Sequence, residues 1–327
     1  MRATLSLIRR EFTAYFTGPI GYVALFSFLV LTGLLFNLAL GLLTEKGPRG
    51  VEYPMQVMLG GADNPEWALV AGVLFWGLFP AVTGIITSRL IAEERGTGTL
   101  EALLTAPIRD WQVVVAKFTA CFAFYLLMWA TTLVYVPVLT DLHAEWRGNF
   151  TPFAIMLLAG IAMIAVAKFS FWFELNGWLV LLLGLIGLGL TGAGAYLHYT
   201  QDEEQVVKLT TGIDPHPVFT SYLGIVLAGA MFLALGLLVS SWVKSQLVAW
   251  MLSLLLGLLF VLPAALRWQF DTGSAFYPFI YYIGVPEHFR RDFTRGVIDT
   301  RPIVLYVSVT LCCLFLTVRS LEARRLR

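Results

Sequence analysis

The chain has 327 residues, of which 58% are hydrophobic and 13% charged, with a formal net charge of +1 and a mean hydropathy of +0.77. Charged residues make up about a quarter of an ordinary soluble domain, so this composition excludes the soluble globular class and points to an integral membrane protein. A net charge this small gives no electrostatic basis for a nucleic-acid partner.

The N-terminus, MRATLSLIRREFTAYF, is charged and is followed by an apolar run far longer than a signal-peptide core, with no small-residue cleavage site. The segment, residues 1–18, is therefore expected to be retained. A membrane span needs about 20 apolar residues at 1.5 Å rise. Eight stretches qualify or nearly do: residues 20–43, 68–88, 118–140, 152–167 (the shortest), 177–197, 219–242, 247–266 and 302–318. None contains Lys, Arg, Asp or Glu. Runs without alternation are helices, because backbone polar groups in lipid must be satisfied internally and barrel strands alternate polar with apolar. The predicted fold is an all-α polytopic membrane protein of about eight transmembrane helices, in one transmembrane domain over 1–327.

Orientation follows from basic residues in the loops. With the N-terminus inside, thirteen of the 22 Lys and Arg residues fall on the cytoplasmic side, among them Arg10, Arg95, Lys117, Lys244 and Arg324. Much of the remainder sits in one long loop, 267–301. Both termini are accordingly placed in the cytoplasm. The fifth span carries GLIGLGLTGAG, where small residues four apart, such as Gly189 and Ala193, allow close helix packing or a dimer contact. Cys121, Cys312 and Cys313 lie inside apolar runs and read as small hydrophobes.

Several activities are excluded by what the spans lack. Ion-coupled transport needs ionisable groups at membrane depth. No nucleophile elbow is present, and none of the five lysines follows a glycine as a P-loop requires. The chain is not expected to hydrolyse ATP or to hold a cofactor or metal. His143, His198, His216 and His288 lack zinc-site spacing and are expected at the surface. The one polar cluster suited to a membrane-embedded enzyme is Glu174, Asn176 and Trp178.

The charges concentrate instead in RLIAEERGTGTLEALLTAPIRDWQ, residues 89–112. Gly96 and Gly98 permit a tight turn where the second span leaves the membrane. Thr99 can cap a short helix carrying Leu100, Leu103 and Leu104 on one face, which Pro107 would end. Glu93, Glu94, Arg95 and Glu101 surround its start. Residues alone leave two readings open, a solvated interfacial loop and a docking element. The outer loop 267–301 mixes aromatics with arginines, a pattern suited to the membrane interface, and an anionic lipid or glycan is a possible ligand for Arg290 and Arg291.

EERGTGTLEALLTAPI resembles the loop between the second and third membrane helices of ABC-2-type permeases, with the pattern E-E-R/K-x-x-G-T-x-E-x-L-x-x-x-P. LIRREFTAYFTGPIGYVALFSFLVLTGLLF is similar to that family's amphipathic helix and first span, VAKFTACFAF to its third-helix start, and SYLGIVLAGAMFLALGLLVSSWVKSQLVAW to its fourth helix and the turn into the fifth. HFRRDFTRGVIDTRPIVLY resembles the outer loop of the gliding-motility-type branch and marks His288, Phe289, Arg290, Arg291 and Gly296. The resemblance implies six family helices plus an inserted hairpin over 141–217, and a partly re-entrant outer loop. It further implies that 89–112 is a coupling loop docking on a P-loop ABC ATPase subunit, which would bind ATP and Mg. Glu93, Glu94, Arg95, Gly96, Gly98, Thr99, Glu101, Leu104 and Pro107 are then the coupling residues, with Glu94 and Glu101 foremost. The implied protein is the permease subunit of an exporter in the inner membrane, not itself an enzyme. Its implied partners are the ATPase, a second permease copy or paralogue, the lipid bilayer and a further envelope protein. A non-transporting mechanotransmitter or scaffold driven by an ATPase is the alternative.

Overall fold

A computed structural model describes residues 2–46, 55–56, 59, 65–99, 109–133, 215–266 and 277–325. Outside them lie the predicted spans 152–167 and 177–197, nearly all of the inserted segment 141–217, Glu101, Leu104 and Pro107, the cluster Glu174, Asn176 and Trp178, and His143 and His198.

Among the described residues every element is helical: α1 (Arg2–Thr17), α2 (Pro19–Lys46), α3 (Pro65–Thr97), α4 (Asp110–Thr132), α5 (Pro215–Trp242), α6 (Gln246–Leu266), α7 (Tyr277–Ile283), α8 (Val285–Arg291), a 3-10 turn (Phe293–Arg295) and α9 (Thr300–Arg325). Five are long and apolar enough to cross a membrane, at Phe75–Thr97, Asp110–Thr132, His216–Trp242, Gln246–Ala264 and Thr300–Arg324. A sixth is counted if α1 and α2, which meet at a break, form one bent span. The described residues therefore carry five or six of the eight expected crossings.

The chain divides into two compact units. The first comprises Met1–Phe12, Leu59–Leu126 and Pro215–Arg327. Here α5 packs along both α3 and α9, and α6 packs on α3. The core is aromatic: Trp76 lies 4.7 Å from Phe289, and Phe79 touches Tyr125 and Phe232. Tyr125 reaches across to donate to the Ile225 carbonyl at 2.9 Å, and its ring occupies the space that a Cβ at Gly229 would need. Pro80 interrupts the α3 ladder against Gly257 of α6, a break that neighbouring helices and Thr or Ser side chains make tolerable in lipid. Nearby, Trp250 donates to the Ala81 carbonyl at 3.1 Å. α6 and α9 turn Leu255, Leu259, Leu311 and Phe315 outward, as expected where acyl chains replace a protein core.

The second unit comprises Thr13–Met58 and Leu127–Asp214. Within it Phe28 packs edge-on against Trp129 at 5.1 Å. Tyr22 donates to the Phe16 carbonyl at 2.8 Å across the α1–α2 break.

Candidate functional site

The charged segment begins on a helix rather than in a loop. α3 continues through Arg89, Glu93, Glu94, Arg95 and Gly96 as far as Thr97, so Gly96 makes no turn. Only Gly98 leaves the helix, with φ +75. Thr99 is helical again after the Gly98 turn, and its hydroxyl lies 2.9 Å from the Thr97 hydroxyl and 3.4 Å from the Glu94 carbonyl. Helix periodicity then sorts the charges onto two faces. Glu93, Gly96, Thr97, Gly98 and Thr99 are exposed, whereas Glu94 and Arg95 turn toward the bundle.

Glu94 enters an ion cluster built from three helices. Lys117 of α4 is 1% exposed and donates to Glu94 Oε1 at 2.8 Å and to Glu11 Oε2 at 3.2 Å. Arg10 of α1 bonds Glu11 at 2.6 Å and lies 3.7 Å from Glu94. Leu7 packs on Val113 and Ala116 beside it, which holds the amphipathic helix against the first turns of α4. Two cations thus face two carboxylates, and among the described residues Glu94 Oε2 is buried with no hydrogen-bond partner. Sequence reasoning counts Lys117 only as an inside charge. Its signal is weak, a single lysine one residue ahead of an apolar run.

Arg95 is held by α5. It donates to the carbonyls of Ser241 and Val243, each at 3.0 Å, satisfying C-terminal carbonyls that lack helical partners. Arg324 of α9 also donates to the Ser241 carbonyl, at 3.1 Å. In return α5 enters α3. The Ser240 hydroxyl accepts from the amides of Ile91 at 3.1 Å and Ala92 at 3.0 Å, and donates to the Ser88 carbonyl at 3.1 Å. A side chain inserted into the ladder in this way is a recognised cause of helix deformation. One turn earlier on α5, Gly236 lets the Thr87 side chain approach the backbone. Ser240 and Gly236 escape sequence analysis because small residues in an apolar run carry no periodic signature.

At the other end of the first unit, α7, α8 and the 3-10 turn form a cap on α5 and α6, and His288 reaches Tyr306 of α9. Phe289 and Phe293 are buried, and Thr220 of α5 donates to the Phe293 carbonyl. His288, expected at the surface, is 1% exposed and shares a 2.8 Å hydrogen bond with the Tyr306 hydroxyl. The neighbouring hydrophobic side chains exclude water there. That burial pushes the His288 imidazole down to about 4, although hydrogen bonding to the Tyr281 and Tyr282 backbone and the charge of Glu287 pull the other way. Burial likewise raises the Asp292 carboxyl, against the 2.8 Å hydrogen bond it receives from Tyr281. Arg290 bonds Glu287 at 2.9 and 3.1 Å, and Arg291 lies over the Tyr281 ring at 5.2 Å. Gly296 takes φ +80 to end the 3-10 turn. These residues are therefore engaged in building the cap.

His216 is exposed at the start of α5. Among the described residues no cluster of His, Cys, Asp and Glu is arranged to hold a metal ion.

The sequence profile of a family described as "ABC-2 family transporter protein" matches residues 20–188, more than half of the chain. A comparison with curated protein sequences returned no match.

Proposed function

The chain belongs to the ABC-2 family of transporter proteins, and from that premise we propose that it is the permease subunit of an exporter driven by a separate P-loop ATPase. Membership makes it a membrane-embedded transport component with no catalytic role of its own. The ATPase, with its ATP and Mg, would dock on the exposed tip of α3 at Glu93 and Thr97–Thr99 and on the chain that follows, including Glu101, Leu104 and Pro107.

The observation that carries this reading is that the α3 tip presents Glu93 outward while the two residues after it are tied to the rest of the bundle. Displacement of that tip would strain the Glu94–Lys117–Glu11 cluster on one side and the Arg95–Ser241 contact on the other. Both contacts join membrane helices, so a push at the tip would reach α1, α4, α5 and α9 together. A ligand shifts a two-state equilibrium only through contacts that differ between the states. Glu94 Oε2, buried and without a hydrogen-bond partner among the described residues, is an acceptor that a second arrangement would satisfy, and an unsatisfied buried acceptor costs about 1–3 kcal/mol.

The ends of α3, α5 and α9, the start of α4 and the N-terminal helix all meet at one end of the first unit, and we assign that end to the cytoplasm. The outward apolar faces of α6 and α9 would be covered by lipid and by a second permease copy. The gliding-motility-type branch remains the proposed affiliation, on the outer-loop resemblance.

The test is affinity purification of the full chain from its own cells in mild detergent, with mass spectrometry of what accompanies it. A P-loop ATPase should co-purify and should be lost on Glu93→Lys with Glu101→Lys, while the variant keeps the elution profile of the original protein. Glu94 is unsuited to this test because reversing its charge would break the buried cluster. An ATPase that stays bound to the double variant, or a chain that purifies alone, would count against the docking assignment.

A further inference from the structure

Arg95 and Arg324 come from different helices and converge on one acceptor, the Ser241 carbonyl, at 3.0 and 3.1 Å. Among the described residues neither forms an ion pair. The C-terminus of α5 offers them about half an elementary charge of compensation, against two full positive charges a few ångströms apart. A guanidinium carries five N–H donors in a planar fork, and among the described residues the pair makes only three bonds to protein, two to Ser241 and one to Val243. Both side chains are half-buried, so each keeps part of its surface open to a ligand. Among the described residues no anion neutralises them.

The surroundings indicate which anion. Trp242, next to the shared carbonyl, is 52% exposed, and an exposed tryptophan at the end of an apolar helix marks the headgroup level of a membrane. The chain turns at 243–245 and re-enters as α6, whose first turns expose Leu247, Val248 and Met251. An anion bound here would therefore have an acyl-covered surface beside it. We propose that Arg95 and Arg324 together bind the phosphate of an anionic phospholipid headgroup, and that its acyl chains lie along the start of α6. The guanidinium fork matches phosphate oxygens bidentately, and the adjoining apolar face selects a lipid over a free ion. The assignment rests on the bilayer embedding of these helices and is independent of ATPase docking, so either can fail without the other.

The experiment is native mass spectrometry of the delipidated full chain, titrated with phosphatidylglycerol, phosphatidylcholine or inorganic phosphate. The original protein should bind one phosphatidylglycerol at least tenfold more tightly than phosphatidylcholine, and inorganic phosphate should not displace it. Arg324 makes a single hydrogen bond among the described residues, and Arg324→Gln should lose most of that preference. Arg324→Lys, which keeps the charge and loses the fork, should lose part of it, and Arg319→Gln, a control whose arginine pairs with Glu322 at 2.8 Å, should change nothing. Equal binding of the two lipids, or undiminished preference in Arg324→Gln, would overturn the proposal. Displacement by inorganic phosphate would overturn the lipid assignment in favour of a free anion. Loss of the ATPase from Arg324→Gln with lipid preference intact would reassign the pair to a protein carboxylate.

Discussion

Replacing Lys117 with Met tests whether the buried ion cluster holds the N-terminal helix to the membrane bundle. Lys117 Nζ lies 3.2 Å from Glu11 Oε2 and 2.8 Å from Glu94 Oε1. At an effective dielectric of ~20, each contact is worth about 5 kcal/mol of gross attraction, most of it offset by the cost of burying the charges. Deletion has a larger consequence than that net balance. Met fits the apolar volume but leaves two carboxylates facing each other, with only the half-exposed Arg10 beside them. Breaking a buried pair from one side costs roughly 3–5 kcal/mol. With about 2.1 cal/mol/K of unfolding entropy per residue over 327 residues, each kcal/mol shifts the midpoint by about 1.5 °C, so it should fall by about 4–7 °C. The assay is thermal unfolding of the purified full chain in one detergent at pH 7.5, followed by its remaining monodisperse fraction. The triple variant Lys117→Met, Glu11→Gln, Glu94→Gln removes the uncompensated charges and should recover several degrees. A midpoint for Lys117→Met within about 1 °C of the original, or a triple variant worse than the single one, would refute the reasoning.

Ser240→Ala removes the hydroxyl that serves Ser88, Ile91 and Ala92; it should cost about 1–3 kcal/mol and speed amide exchange at Ile91 and Ala92, and unchanged exchange there would show that α3 does not need the insertion. His288 has a folded value near 4 against an ordinary 6.5, so its neutral burial contributes stability that is complete above about pH 6.5 and is lost as pH falls toward 4. That displacement amounts to roughly 3 kcal/mol at most, and the thermal midpoint should drop more between pH 7.5 and 5 in the original protein than in His288→Gln. A Cβ at Gly98 would meet no atom within 4 Å, but the residue has φ +75, so Gly98→Asn should be tolerated. Gly98→Val should bear about 1–2 kcal/mol of backbone strain, read as a thermal midpoint about 1–3 °C lower together with weakened ATPase co-purification.

Legibility varies with the kind of signal. The apolar runs are plain because lipid demands uninterrupted helices, and five of the predicted spans overlap membrane-capable helices directly. Turn chemistry is a less reliable guide. Gly96 and Gly98 both suggest a turn, but only Gly98 makes one; α3 runs on through Gly96 to Thr97, with Arg95 and Ser240 holding its last turns against α5. Residue type alone places His288 at the surface, although aromatic neighbours on α7 and α9 enclose it.

The sequence by itself determined that the chain lives in a membrane, that its spans are helical, and that its charges gather at one short segment. Each of these follows from composition or local spacing, because lipid penalises every exposed polar group wherever the chain goes next. Only the tertiary structure decided what the charges do. Glu11, Glu94 and Lys117 are separated by up to 106 positions, as Arg95 and Ser241 are by 146. No local pattern announces such pairings; they exist because three helix ends are packed against one another, and burial there turns ordinary surface charges into fixed contacts between helices.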